Sequence, residues 1–458
     1  MAIAVTNPTT GLVEREFTAH DGDEIERRLA LATAAAAQLR RETYAQRAKW
    51  MRASADLLEA EAEDVAVMIT REMGKPLAQS RGEALKCVKN MRFYADNAET
   101  FLADEPLADP SVVGASAAYA RYEPLGVVLA VMPWNYPLWQ VIRFAAPALM
   151  AGNAGVLKHA SNVPESALYL DELFTRGGFP EGSFTTLMIG ASAVDAVIDD
   201  RRIAAVTLTG SEPAGRSVGA RAGGQIKKAV LELGGSDPFI VLPSADLDTA
   251  VATAVTARIN NNGQSCIAGK RFIVHTDIYD TFAEKFAAAM SALTVGDPMD
   301  ESVQVGPLAT KSGRDEIAEL VDDAIERGAT VLAGATIPDG DGWFYAPTVL
   351  ADLPEDARLV MEEAFGPVAT LYRAADIDDA IRIANQTTFG LSSAAWTTDP
   401  AEQDYLVREL DAGAVFVNGM TISYPELPFG GIKDSGFGRE LAAAGIREFC
   451  NLKTVWKG

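Results

Sequence analysis

One cysteine in this chain sits where its sulfur could react. Cys266 lies in the run Arg258-Ile259-Asn260-Asn261-Asn262-Gly263-Gln264-Ser265-Cys266-Ile267-Ala268-Gly269-Lys270-Arg271, between a helix-like stretch (Leu247 to Ile259) and a strand-like one (Arg271 to His275). Asn, Gly, Gln and Ser just before it break both periodicities, which predicts a turn. A turn exposes a sulfur that the interior of an element would pack away, and an exposed thiolate attacks carbonyl carbon. Four polar motifs could supply partners: Pro133-Trp134-Asn135-Tyr136-Pro137, Lys158-His159-Ala160-Ser161-Asn162, Thr209-Gly210-Ser211-Glu212-Pro213-Ala214-Gly215 and Glu232-Leu233-Gly234-Gly235. Each follows or ends a strand-like run. In a parallel sheet the C-terminal strand ends share one edge, and ligands bind there. With only three histidines, a histidine-based triad or a zinc site is disfavoured, and no metal is expected.

The elements that must position these groups follow from periodicity. Residues 21–104 read as helices, with Ile25, Leu29, Ala32, Ala36 and Leu39 marking one face of the first. A longer helix is predicted through Trp50, Leu57, Leu58 and Ile69, ending at Gly74-Lys75-Pro76. Small, alternating residues over 106–124 suggest a hairpin leaving the main body. From Gly126, apolar runs at 126–132, 154–158, 184–189, 203–208 and 228–232 alternate with helical stretches, predicting parallel βαβ units in a doubly wound sheet. A second α/β series follows from Gly234, with strands near 238–242, 271–275, 329–333, 368–372, 393–397 and 414–418. The tail from Phe449 to Trp456 reads as a terminal strand, for which a neighbouring subunit could supply the partner.

Composition narrows the class of function. At 458 residues the chain has room for two or three domains, and 48% hydrophobic with 22% charged residues is ordinary for a globular protein. A net charge of −23 argues against nucleic acid or an anionic membrane as partner. An anionic substrate would have to be held by local cations working against that field. Three irregularly spaced cysteines, Cys87, Cys266 and Cys450, give no disulfide framework and point to a reducing cytosol. The N-terminus lacks the basic and apolar regions of a signal peptide. No apolar run reaches membrane-spanning length, and Arg143 interrupts the best candidate.

Taken together with Glu362-Glu363-Ala364-Phe365-Gly366-Pro367-Val368 and Pro428-Phe429-Gly430-Gly431-Ile432-Lys433-Asp434-Ser435-Gly436, these motifs and their order resemble the aldehyde dehydrogenase superfamily over nearly the whole chain. The resemblance implies an α/β fold. A Rossmann-type cofactor domain would span 1–105 and 125–232, with a catalytic domain over 233–425. A small β oligomerisation element (106–124 and 446–458) would support a homodimer or homotetramer, and 426–445 would connect near the active site. It also implies roles. Cys266 would attack the aldehyde, giving a thiohemiacetal and, after hydride loss, a thioester. Asn135 and the Cys266 backbone N–H would hold the oxyanion. Glu232 would be the base that activates water against the thioester.

No GxGxxG follows the first strand. This family instead sets Gly210, Ser211 and Gly215 at a helix N-terminus, where orphan N–H groups favour a pyrophosphate. The same resemblance places Trp134, Leu233, Phe365, Glu363 (nicotinamide ribose) and Lys158 (adenosine ribose) around the cofactor. NAD-preferring relatives carry a glutamate where this chain has Ser161; without that carboxylate and with Lys158 beside it, NADP is expected to be preferred, with NAD still possible. For the substrate, Arg143 stands where general aldehyde dehydrogenases carry an aromatic, and where the branch acting on succinate semialdehyde carries an arginine for the distal carboxylate. Some relatives place a second arginine where this chain has Asn260. Arg258 is the nearest substitute, and Ser423, Tyr424 and Phe429 are further candidates. Ala268, two residues past the nucleophile, leaves no local redox-switch disulfide.

Overall fold

The apolar runs from Val127 onward become two twisted, largely parallel sheets. The structure, a computed structural model, describes residues 2–458; Met1, where the stretch read for a signal peptide begins, lies outside the described residues. The first sheet carries the strands Val127–Met132, Ala154–His159, Phe184–Thr186, Ile203–Thr209 and Lys228–Glu232. Their spatial order is third, second, first, fourth, fifth, and all are parallel. A two-residue strand, Gly436–Phe437, runs antiparallel to Lys228–Glu232 at the edge. Strand order reverses between Val127–Met132 and Ile203–Thr209, so a crevice opens where Trp134-Asn135 and Gly210-Ser211 leave the sheet. Helices cover both faces of the central strands, which is why they read as unbroken apolar runs rather than alternating ones.

The second sheet has seven strands, in the order Thr330–Ala333, Thr348–Ala351, Val368–Ala374, Gly269–His275, Asp237–Val241, Ser393–Trp396 and Val415–Val417. Only the first pair is antiparallel. Thr348–Ala351 was not legible beforehand, because four residues behind a proline carry too short a pattern.

Four helices precede the first sheet: Gly22–Leu39, Tyr44–Ala60, Ala62–Met73 and Leu77–Phe101. The single helix predicted through Trp50 and Ile69 is two, broken at Glu61, whose φ of −100° and ψ of 8° leave the helical well. The expected stop does form. Gly74 takes φ 78°, and a Cβ there would lie 2.7 Å from the Pro307 carbonyl oxygen. An N-terminal hairpin, Ile3–Asn7 with Leu12–Phe17, went unread in the sequence.

The terminal strand also departs from expectation. Cys450–Lys457 pairs along its whole length with Ala117–Pro124 of the same chain, which in turn holds Glu105–Pro106, so no neighbour is needed to complete it. Nearer the crevice, all 13 residues of the Trp139–Ala151 helix are buried. Its Val141, Ile142 and Ala145 share a core with Cys87, Val88 and Met91 of Leu77–Phe101. Burying each large apolar side chain stabilises by roughly 1.5–3 kcal/mol. This packing fixes the early helix against the crevice.

Candidate active site

Cys266 is held by a turn that only asparagine and glycine accept readily. The Leu247–Ile259 helix runs into Asn261 (φ 57°), Asn262 (φ 55°) and Gly263 (φ 76°), three successive left-handed residues. A Cβ on Gly263 would lie 2.3 Å from the Gly366 carbonyl oxygen. Side chains then pin the turn from every side. Asn261 Nδ2 donates to the carbonyls of Asn135 (2.7 Å) and Gln264 (2.8 Å), and Asn262 Nδ2 to those of Gly74 and Pro307 (2.9 Å each). Lys270 Nζ, buried, donates to the carbonyls of Ser265 (2.9 Å) and Cys266 (2.7 Å) and pairs with Glu363 at 2.8 Å. The thiol is thereby presented, partly exposed, in a cleft of about 690 Å³. Burial pushes its pKa up to about 12, against the opposing pull of Arg143 and Lys270, so the resting group is a neutral thiol.

Arg258 belongs to this scaffold. It is wholly buried, and its Nη2 donates to the Gly263 carbonyl at 2.6 Å. Its Nε and Nη1 have no partner among the described residues, and the side chain is outside the lining of the cleft, so a substrate contact from it finds no support there.

Asn135 lines the cleft beside Cys266. One of its amide N–H groups goes to the Gln264 carbonyl at 3.0 Å, leaving the second uncommitted. Gln140, the second residue of the next helix, also lines the cleft, and its buried Oε1 has no partner among the described residues.

Glu232 ends its strand facing the Pro428–Gly431 loop. A Cβ on Gly430 would lie 2.8 Å from Glu232 Oε1. Behind it, Arg143 and Glu440 form a buried ion pair, with Arg143 Nη2 3.4 Å from Thr209 Oγ1 and the guanidinium 4.6 Å over the Phe429 ring. Burial raises the Glu232 pKa well above the usual carboxylate range, Glu440 adds to the rise and Arg143 opposes it. Glu440 is shifted the same way by burial. Two buried carboxyls share one cation here, which favours holding a proton among them. Arg143, expected to meet a substrate carboxylate, is here paired with Glu440.

The rest of the cleft suits a dinucleotide. The Glu212–Gly224 helix opens onto it, and the Ser211 side chain makes no capping bond, so its N-terminal N–H groups stay available. A Cβ on Gly215 would lie 2.4 Å from Leu233 Cδ2, which explains the close seating of that helix. Trp134 and Phe365 meet edge to face at 5.7 Å across the cleft, beside Gly210, Leu233 and Glu363. Lys158 and Ser161 lie outside this main cleft, at the end of the neighbouring strand. Lys158 is 8% exposed, lacks any hydrogen-bond or ion-pair partner among the described residues, and has its pKa lowered by burial. A nearly buried, unpaired ammonium at that edge is a group waiting for an acceptor. Among the described residues no group of three or more His, Cys, Asp or Glu could hold a metal ion, and no helix is long and apolar enough to cross a membrane.

Away from the residues that line the cleft, Ser423 accepts a hydrogen bond from Lys86 Nζ at 2.7 Å. Lys86 also lies 4.1 Å over the Trp139 ring. Phe429 and Glu440 exchange backbone hydrogen bonds at 2.7 Å, tying the aromatic to the ion pair beneath it. Sequence reasoning missed Lys86 and Lys270. A lysine on an amphipathic helix reads as part of a solvated face, and one opening a strand as an edge residue; nothing local distinguishes either.

Residues 1–455 match the model of the aldehyde dehydrogenase family. The chain is 64% identical, over 459 residues covering 100% of it and 97% of the relative, to a Mycobacterium avium protein named succinate-semialdehyde dehydrogenase NADP(+). It is 62% identical over 456 residues, with 100% of both chains covered, to a Mycobacterium tuberculosis protein named succinate-semialdehyde dehydrogenase NADP(+) 1. The crystal structure of succinic semialdehyde dehydrogenase from Streptococcus pyogenes in complex with NADP+ superposes with a TM-score of 0.96 at 34% identity, covering 99% of each chain.

Proposed function

The chain belongs to the aldehyde dehydrogenase family, and we propose that it oxidises succinate semialdehyde to succinate with NADP as hydride acceptor. The observation that carries this reading is the 64% identity, over its full length, to a relative named for that reaction and cofactor. The roles this reading assigns are as follows. Cys266 gives its proton to solvent water and adds as thiolate to the aldehyde carbon, and the Asn135 amide with the Cys266 N–H would hold the oxyanion so formed. NADP held in this cleft would supply the hydride acceptor, and Cys266 would keep the acyl group as a thioester. Glu232 would then draw a proton from water, the hydroxide so formed would add to the acyl carbon and expel the thiolate, and the proton held by Glu232 would return to the sulfur as the acid departs. Lys158 and Ser161 would face the adenosine ribose and its 2′-phosphate. The exposed Leu452 and Trp456 on the outer strand of the three-stranded sheet favour assembly as a homodimer or homotetramer, and three unpaired cysteines favour the cytosol.

One observation favours a second reading, a broader dehydrogenase of another semialdehyde or aliphatic aldehyde: Arg143 is already paired with Glu440. The test is a panel of aldehydes scored by reduced cofactor. Succinate semialdehyde should exceed butanal in kcat/KM by about tenfold or more with NADP, since one buried charge pair is commonly worth at least 1.4 kcal/mol. Equal rates select the broader enzyme. No reduced cofactor from any aldehyde means a binding protein that kept the fold.

Cofactor choice has its own variant. Ser161→Glu should weaken NADP by setting a carboxylate near the 2′-phosphate, shifting the NADP-to-NAD ratio of kcat/KM by about tenfold or more. A wild type that already uses NAD better than NADP defeats the argument before the variant is made.

A further inference from the structure

Lys86 is a cation without a counter-charge. Every carboxylate around it is committed elsewhere. Glu83, one turn earlier on the same helix, pairs with Lys75 and accepts the backbone N–H groups of Leu138 (2.8 Å) and Trp139 (2.9 Å). Glu426, on the loop after Ser423, pairs with Lys89 at 2.9 Å. Glu440 is taken by Arg143. What Lys86 has is one hydroxyl, Ser423, and the face of Trp139. Trp139 opens the helix whose next residue, Gln140, lines the cleft with Cys266 and which carries Arg143 one turn on, so Lys86 stands beside that cleft. An ammonium this desolvated, with a single hydrogen bond from three donors, is costly unless an anion arrives.

We infer that Lys86, steadied by Ser423 and Trp139, receives the distal carboxylate of the substrate and so determines the preference for a semialdehyde acid over a plain aldehyde. This rests on the substrate reading above and names the residue behind it. Lys86 acts with Arg143 rather than instead of it: Glu440 offsets the arginine, and the lysine supplies the charge that remains. Burial lowers the Lys86 pKa to about 8, with the nearby Arg143 adding to the fall and Cys87, Glu83 and Cys266 opposing it. Lys89 and Glu426, facing each other across the loop, cancel. The ammonium is thus present below pH about 8 and lost above it.

The experiment is the ratio of kcat/KM for succinate semialdehyde to that for butanal, measured across pH in wild type, Lys86→Met and Lys86→Arg. Met keeps the stem over Trp139 and removes the charge. In wild type the ratio should fall as pH rises through about 8. In Lys86→Met it should be lower by about tenfold or more, chiefly through KM, and flat with pH. Lys86→Arg should recover much of it. A ratio unchanged in Lys86→Met overturns the inference, as does a fall in both aldehydes together, which marks a structural lysine. Should Lys86→Met not fold, a pH-independent wild-type ratio overturns it alone. A wild type indifferent to the two aldehydes removes the substrate reading itself, and Lys86 loses its ligand with it. A wild type selective for succinate semialdehyde whose ratio ignores Lys86 removes only the lysine.

Discussion

Cys266→Ala is expected to abolish aldehyde oxidation, lowering kcat/KM by about a thousandfold or more, equivalent to about 4 kcal/mol at 1.36 kcal/mol per decade. Without the sulfur no tetrahedral adduct forms, and an aldehyde gives up hydride poorly before one exists. Cofactor binding should survive. The turn is pinned through backbone carbonyls and by Asn261, Asn262, Arg258 and Lys270, none of which depends on the thiol. A fluorescence titration with NADPH checks binding, and a stopped-flow trace with succinate semialdehyde checks chemistry. More than a few per cent of residual turnover would rule out the covalent route. The other two cysteines serve as controls. Cys87 is sealed in the helical core, and Cys450 is buried where its strand begins, its thiol donating to the Ile446 carbonyl at 3.4 Å. Substituting either should act on stability rather than on the rate per folded molecule.

Glu232→Gln should show a burst of reduced cofactor followed by a steady state slower than wild type by about a hundredfold, the usual contribution of a general base. Acylation needs Cys266 and the oxyanion donors; deacylation needs a proton removed from water. The pH profile carries the same signature. Burial and Glu440 hold the Glu232 pKa well above the ordinary carboxylate value, so its basic form accumulates as pH rises through and beyond neutrality. Wild-type deacylation should climb over that range, and the climb should vanish in Glu232→Gln. A uniformly slow variant with no burst would instead place Glu232 at thiol activation. The carboxamide is close to isosteric and removes a buried, poorly bonded carboxyl, so loss of fold is not the expected cause of slowing.

Much of the local geometry around the candidate site is legible in the sequence. The turn around Cys266 shows in Asn261, Asn262 and Gly263, because only residues tolerant of left-handed backbone stand there. The strand ends bearing Asn135, Gly210 and Glu232 show in apolar runs that stop at polar residues, and parallel βαβ order alone brings such ends to one edge. These signals are local: a period, a breaker, a backbone preference. The breaks that went unread, at Glu61 and at Thr348–Ala351, are ones where the local signal is only a few residues long.

Charge pairing is different, and the tertiary structure alone decided it. Arg143 reads from sequence as an isolated charge in an apolar helix, yet Glu440 meets it from the far end of the chain. Arg258 reads as a substitute clamp, yet it is wholly buried and its Nη2 is given to the Gly263 carbonyl. Lys86 reads as solvated surface, yet the packing of Leu77–Phe101 on Trp139–Ala151 carries it inward to Ser423, 337 residues away in sequence. A helix period tells which side of an element is apolar; it does not tell which opposite charge will stand within hydrogen-bond reach. That depends on distances between elements remote in sequence, and below about 4 Å in a desolvated setting those distances decide whether a cation is spent or free.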